Sequence, residues 1–184
     1  APRMRENPRV AILTPGKGSY RYVEDAHLAR YLGYTLVQGR DLAVRNNRLN
    51  LKTLGGLLPI EVLWRNVTDS ACDPLELDPG SNRGVTGLLQ TIRSGSVAVT
   101  NCIGSALVQM PALLPFLPAA CQYLFGEELK LPSIPTYWCG GDAERRHVEQ
   151  HLEQFVIRPA FVISGEPPLV PAEMSAVERE ALVA

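Results

Sequence analysis

Val10-Ala11-Ile12-Leu13-Thr14 is an unbroken apolar run that closes on Pro15-Gly16-Lys17-Gly18-Ser19. A run without polar alternation predicts a strand buried on both faces, and the glycines predict a tight turn behind it. From Tyr22 to Leu32 the apolar residues Val23, Ala26, Leu28, Tyr31 and Leu32 recur near helical spacing, and Gly33 supplies the stop. Thr35-Leu36-Val37-Gln38 predicts a second short strand closed by Gly39-Arg40-Asp41. The opening therefore reads strand, helix, strand.

Leu42-Ala43-Val44 and Leu49-Asn50-Leu51 flank Asn46-Asn47, a hairpin signal. Ile60 to Trp64 predicts a third main strand, with Arg65 and Asn66 leaving its end. Asp73 to Gly80 contains two prolines and reads as a loop. Val85 to Arg93 predicts a helix stopped by Gly95, and Val97 to Thr100 a fourth strand that runs into Asn101. Ala112 to Phe125 is apolar almost all round, which predicts a well-buried helical region made irregular by Pro111, Pro115 and Pro118. Asp142 to Gln154 reads as a polar helix with Asp142 as N-cap. Phe155 to Phe161 predicts a short strand with Arg158 in its middle. A Pro/Gly-rich connection and a helix from Ser175 to Leu182 follow, opened by the Ser175/Glu178 capping box.

This alternation predicts an α/β fold: an open, mostly parallel sheet with helices on both faces, plus a short hairpin and a C-terminal strand–helix extension. The 184 residues suit one domain, or one domain and part of another. A formal charge of −1 leaves no basic footprint for nucleic acid. Pro or polar residues break the longest apolar runs, so no membrane span is expected. The opening Ala-Pro-Arg-Met-Arg is not a secretory leader, which makes free thiols in the cytoplasm the expectation for Cys72, Cys102, Cys121 and Cys139. Their spacing matches no zinc pattern, and His147 and His151 share a helix face without a third ligand, so no metal site is assigned.

In open parallel sheets, ligands sit beyond the carboxyl ends of the strands. Those ends carry Gly16, Lys17 and Gly18; Arg40 and Asp41; Arg65 and Asn66; and Asn101 with Cys102. Together they offer three cations and one carboxylate, suited to a partly anionic substrate. Each has a structural alternative. The glycines serve a turn, Asp41 pairs Arg40 or caps the hairpin, and Cys102 is a packed thiol rather than a nucleophile. Arg65 either meets a ligand or domain interface, or forms an ion pair with Asp69 or Asp73. The first turn lacks both the P-loop and the dinucleotide spacing. Arg158 sits in an apolar strand, where a guanidinium requires an anion or solvent.

Leu13-Thr14-Pro15-Gly16, Leu36 to Leu42, Leu51 to Gly56, Val62-Leu63-Trp64-Arg65, Asp73 to Leu77, Pro135 to Gly140 and Val156-Ile157-Arg158-Pro159 follow one another in this order. As a set they resemble the circularly permuted ATP-grasp family. The resemblance runs from about Arg9 onward. It implies ATP-dependent amide-bond formation on a small-molecule or peptide substrate, with ATP and Mg²⁺ used by a longer parent. Arg158 would contact ATP phosphates. By the same resemblance, 1–141 is a pre-ATP-grasp-like domain and 142–184 a linker helix and the start of an incomplete nucleotide-binding subdomain. The family's magnesium-binding Glu and Asn have no counterpart here, so the chain alone is expected to be inert and to hold no cofactor tightly.

Three departures separate the chain from the pattern it resembles. Asn66 stands where relatives have a second Arg. Lys17-Gly18-Ser19 and Tyr22-Val23-Glu24-Asp25 replace an Asn-Ser and an aromatic-Glu-His sequence. Gln109-Met110-Pro111 replaces an Asp-Lys region. They leave a degenerate binding or scaffold domain as the alternative. The apolar residues Met174, Val177, Ala181 and Leu182 also predict self-association through the C-terminal tail.

Overall fold

The computed structural model describes residues 6–161 and 167–183. Two compact units divide the chain, Ala1–Ala106 and Leu107–Ala184.

The first unit is built on a four-stranded parallel sheet of β1 (Val10–Leu13), β2 (Thr35–Val37), β6 (Val62–Arg65) and β7 (Ala98–Thr100), in the order β2-β1-β6-β7. The alternating elements produce the parallel α/β arrangement their pattern predicts. Helix α1 (Tyr22–Leu32) connects β1 to β2, and α2 (Leu88–Arg93) lies between β6 and β7. The order runs outward in both directions from the β1/β6 pair. Right-handed crossovers in opposite directions put the two helices on opposite faces. The β1/β6 boundary is therefore the topological switch point, where such sheets leave a crevice at their carboxyl ends.

Ala11, Ile12, Leu13 and Leu63 are fully buried, as the unbroken apolar runs require. Ala11, Leu13 and Leu63 join Val37, Leu42, Leu49, Ile60, Val85 and Leu88 in one core. Each such side chain contributes roughly 1.5–3 kcal/mol by leaving water. Helix α1 ends where Gly33 takes a left-handed φ of 71° and donates back to Ala29.

A second, antiparallel sheet holds β3 (Leu42–Arg45), β4 (Arg48–Thr53) and β5 (Gly56–Pro59). Asn46 and Asn47 adopt φ of 50° and 58°, the paired left-handed geometry of a tight hairpin turn. Strand β5 is not predicted above. Its run is short, glycine precedes it, and Pro59 marks it as an edge strand with a missing donor.

Two glycines are fixed by packing. A Cβ on Gly39 would sit 2.1 Å from the Gly84 carbonyl oxygen, and one on Gly84 would sit 2.3 Å from the Ala71 oxygen. The turn after β2 thus packs backbone to backbone on the loop that precedes α2.

In the second unit a 3₁₀ turn (Pro111–Phe116) leads into α3 (Leu117–Phe125). The expected burial of this region is not met: no residue of α3 is buried, and Tyr123 and Phe125 are 89% and 74% exposed. Prolines at 111, 115 and 118 divide the segment into short pieces, and apolar composition alone does not supply a layer to cover it. Helix α4 (Asp142–Gln150) has Gly141 as its N-cap, so Asp142 lies in the first turn rather than at the cap. A 3₁₀ turn (Leu152–Gln154) follows. The strand expected around Arg158 is reduced to a single antiparallel bridge between Ile157 and Leu169. Pro159 lacks the N–H that would extend a ladder.

Helix α5 (Ala176–Val183) starts at the predicted box. Ser175 N and Oγ both donate to Glu178 Oε2, at 2.8 and 2.7 Å, and Glu178 N returns a bond to Ser175 Oγ. These hydrogen bonds, the side-chain one first, lower the Glu178 pKa. Among the described residues no helix is long and apolar enough to cross a membrane.

Gly39→Ala is expected to destabilise the fold by about 3 kcal/mol through backbone overpacking. Gly18→Ala, where a Cβ meets nothing within 4 Å, should change stability by less than about 0.5 kcal/mol. Urea denaturation of both variants checks the contrast.

Candidate functional site

Strands β6 and β7 bring two of the predicted ends into one hydrogen-bonded cluster, which reaches α1 through Asp25. Arg65 is the last residue of β6 and only 3% exposed. Its Nε donates to the Asn101 carbonyl at 2.9 Å. Its Nη2 lies 2.5 Å from Asp69 Oδ1, 2.6 Å from Asn101 O and 3.0 Å from Cys102 O. Its Nη1 donates to Val67 O. Of the two readings open for Arg65, this geometry is the ion pair with Asp69. The guanidinium ties the loop after β6 to the loop after β7.

Asp69 completes the tie. Its Oδ2 accepts the Gly104 N–H at 2.8 Å and the Ala106 N–H at 3.4 Å. The pair has a buried guanidinium and a partly buried carboxylate; it stabilises only when its remaining polar atoms are also bonded, and here the surrounding carbonyls and amides do that. Asn101, exposed and at φ 57°, turns its side chain inward; Nδ2 donates to Arg65 O at 2.9 Å and reaches Asn66 Oδ1 at 3.3 Å. Asn tolerates the left-handed region better than most residues.

Asn66 continues the chain across the switch point. Its Nδ2 donates at 2.7 Å to Oδ1 of Asp25, which is fully buried in the first turns of α1. The other carboxylate oxygen of Asp25 is buried without a hydrogen-bond partner, as is Arg21 Nε at the N-cap of the same helix. Leaving a buried charged oxygen unpaired costs about 1–3 kcal/mol or more. The sequence reading missed Asp25, because a carboxylate in a helical first turn looks like an ordinary response to the helix dipole.

The remaining predicted residues are placed as follows. Gly16 is buried at φ 103°, and a Cβ there would lie 3.0 Å from Gln38 Oε1, so the ends of β1 and β2 adjoin. Lys17, Gly18 and Arg40 are exposed. Asp41 accepts the Gln38 N–H at 2.8 Å and caps the 3₁₀ turn Gly39–Asp41. Cys102 is exposed, whereas Cys72 is buried. Arg158, in the second unit, is exposed.

The Asp73-Pro74-Leu75-Glu76 loop has a local explanation. Asp73 is fully buried and accepts the N–H groups of Leu75, Gly87 and Leu89 at 2.9, 3.0 and 2.9 Å. Glu76 pairs with Arg93 at 2.5 Å. Both acids therefore staple the loop to α2. Cys72, next to Asp73, has its thiol pKa pushed up to about 11, mainly by burial and partly offset by Arg65.

The sequence model of the circularly permuted ATP-grasp type 2 family matches residues 1–184. An uncharacterized protein of Mycobacterium tuberculosis (strain ATCC 25618 / H37Rv) is 36% identical over 176 residues, covering 96% of this chain and 20% of the relative. One of Synechocystis sp. (strain ATCC 27184 / PCC 6803 / Kazusa) is 34% identical over 179 residues, covering 97% and 37%. One of Mycobacterium leprae (strain TN) is 33% identical over 153 residues, covering 83% and 27%. The chain thus spans well under half the length of these relatives.

Removing Arg65 takes the donor from Asp69 Oδ1 and from the Val67, Asn101 and Cys102 carbonyls together, so Arg65→Ala should cost about 3–5 kcal/mol in urea unfolding. Cys72 gives a pH test. Its folded pKa lies above the ordinary thiol value of about 9.0, so its contribution is complete below pH 9 and is lost as pH rises toward about 11. Stability should fall by about 2–3 kcal/mol across that window, and Cys72→Ala should flatten the fall.

Proposed function

Because the chain belongs to the circularly permuted ATP-grasp type 2 family, we propose that it forms the substrate-side part of an ATP-dependent carboxylate–amine ligase. The carrying observation is the polar cluster of Asp25, Arg65, Asn66 and Asn101 at the carboxyl ends of β1, β6 and β7, where open parallel sheets accept ligands. In this reading Gly16, Lys17, Gly18, Arg40 and Asp41 border the substrate and supply cations for an anionic group. Asn66 and Asn101 contribute amides, and Arg65 positions the two loops. The substrate in this reading is a small molecule or a peptide.

We assign 1–141 to a pre-ATP-grasp-like region and 142–184 to a linker helix and the start of a nucleotide-binding subdomain. ATP and Mg²⁺ belong to the longer protein, and Arg158 provides one phosphate contact there. Within the chain, Arg158 is a single exposed cation beside one β-bridge, and no three His, Cys, Asp or Glu side chains gather as metal donors among the described residues. That donor set does not fit an ATP–Mg²⁺ site by itself, so no phosphoryl-transfer step is assigned to it. The chain alone is inert in this proposal, and its tail self-associates through Met174, Val177, Ala181 and Leu182.

One observation favours a second reading, a non-catalytic binding or scaffold domain: the Arg65 guanidinium is spent on internal partners rather than held open for a ligand. Calorimetric titration of ATP with Mg²⁺ into the full-length gene product separates the two. The ligase reading predicts saturable binding, weakened about tenfold or more by Arg158→Ala, and no ATP turnover by the chain alone. A full-length protein that takes up no ATP establishes the scaffold reading instead.

A further inference from the structure

Asp25 is the one carboxylate of the strand-end cluster with an oxygen left over. Its Oδ1 is taken by Asn66, and its Oδ2 is buried with no partner. Native structures rarely leave such an atom unanswered, and those that do tend to have a functional or solvent partner. The Asn66 bond fixes where the carboxylate points. It runs from α1, which follows β1, to the residue after β6, and so spans the switch point of the sheet.

Arg21 carries the complementary orphan. Its Nε is buried without an acceptor, although the side chain is 43% exposed and its Nη2 lies 4.0 Å from Glu24 Oε2; Arg21 stands one helical turn before Asp25, whose N–H is bonded to the Arg21 carbonyl at 2.9 Å. The two atoms ask for opposite things: Asp25 Oδ2 an N–H donor, ideally cationic, and Arg21 Nε an oxygen acceptor. Asn66 adds no charge that would compete with a cation. Its side-chain oxygen is engaged by Asn101 at 3.3 Å.

We propose that Asp25 and Arg21 form a recognition site for a primary ammonium with a carbonyl oxygen beside it, the pattern of an amino acid or a peptide N-terminus. The ammonium donates to Asp25 Oδ2 in a charge-assisted bond, and the carbonyl accepts from Arg21 Nε. The loop Pro15–Tyr20, which leads into Arg21, is the segment that shifts to admit it. Lys17, Gly18 and Tyr20 on that loop are exposed. This deepens the ligase reading by naming the amine acceptor and its subsite, and it rests on that reading for the role of the amine.

The test is nucleotide-free. The ¹⁵N-labelled chain is titrated with glycinamide, which carries both groups, and with N-acetylglycinamide, which lacks the ammonium. The side-chain amide of Asn66 is followed by NMR. The proposal expects a saturable shift with glycinamide, at least tenfold weaker with the acetylated probe, and a loss of tenfold or more in Asp25→Asn. That variant keeps an oxygen for Asn66. No shift with glycinamide, or equal shifts with both probes, overturns the proposal on the unaltered chain, whatever the fold of the variant. Glycinamide binding without ATP binding by the full-length protein would sink the ligase reading and leave the amine site standing; the reverse would sink only the amine site.

Discussion

The strand-end region depends on one buried guanidinium. Strands β6 and β7 are held side by side by their own ladder, but their following loops have no regular structure to align them. Arg65 supplies the alignment, because a cation at 3% exposure requires acceptors on every side. The Asn101 and Cys102 carbonyls answer from one loop, and Val67 O and Asp69 from the other. Asp69 then holds the Gly104 and Ala106 amides. The placement of Asn101, hence of Asn66 and Asp25, follows from that arrangement. The site is thereby pre-organised, with its polar groups set by the protein rather than by a ligand.

Much of the first unit was legible in the residues. The unbroken apolar run at Val10–Leu13, the spacing over Tyr22–Leu32 with Gly33, and Asn46-Asn47 each specify their element by local physics. The observed α1 has the expected bounds. What was not legible is what two distant segments do to each other. Gly39 and Gly84 are fixed by mutual backbone approach, which no local pattern encodes. Asp73 and Asp25 look like surface acids until the fold brings N–H groups to one and an asparagine to the other. Arg65 was recognisable as an anomaly after an apolar strand, but only the structure chose Asp69 over Asp73 as its partner.

The second unit shows the opposite balance. Its apolar residues promised a buried helix, and its prolines instead give short pieces with exposed Tyr123 and Phe125. Composition sets how much apolar surface a segment owns; coverage depends on a partner layer, and burial cannot be read without one. Pro159 acts in the same way on the Arg158 segment, stopping the ladder at one bridge. The segment that the proposed function assigns to nucleotide contact is thus irregular here.

The central claim is that the Arg65–Asp69 pair orders the loop after β7. Amide hydrogen exchange of Gly104 in Asp69→Asn measures this directly. The account predicts a protected Gly104 N–H in the unaltered chain and a loss of about tenfold or more in protection in the variant, with the β1 amides unchanged. Unchanged Gly104 protection in a folded Asp69→Asn chain would contradict it, and the loop would then be held by something other than this ion pair.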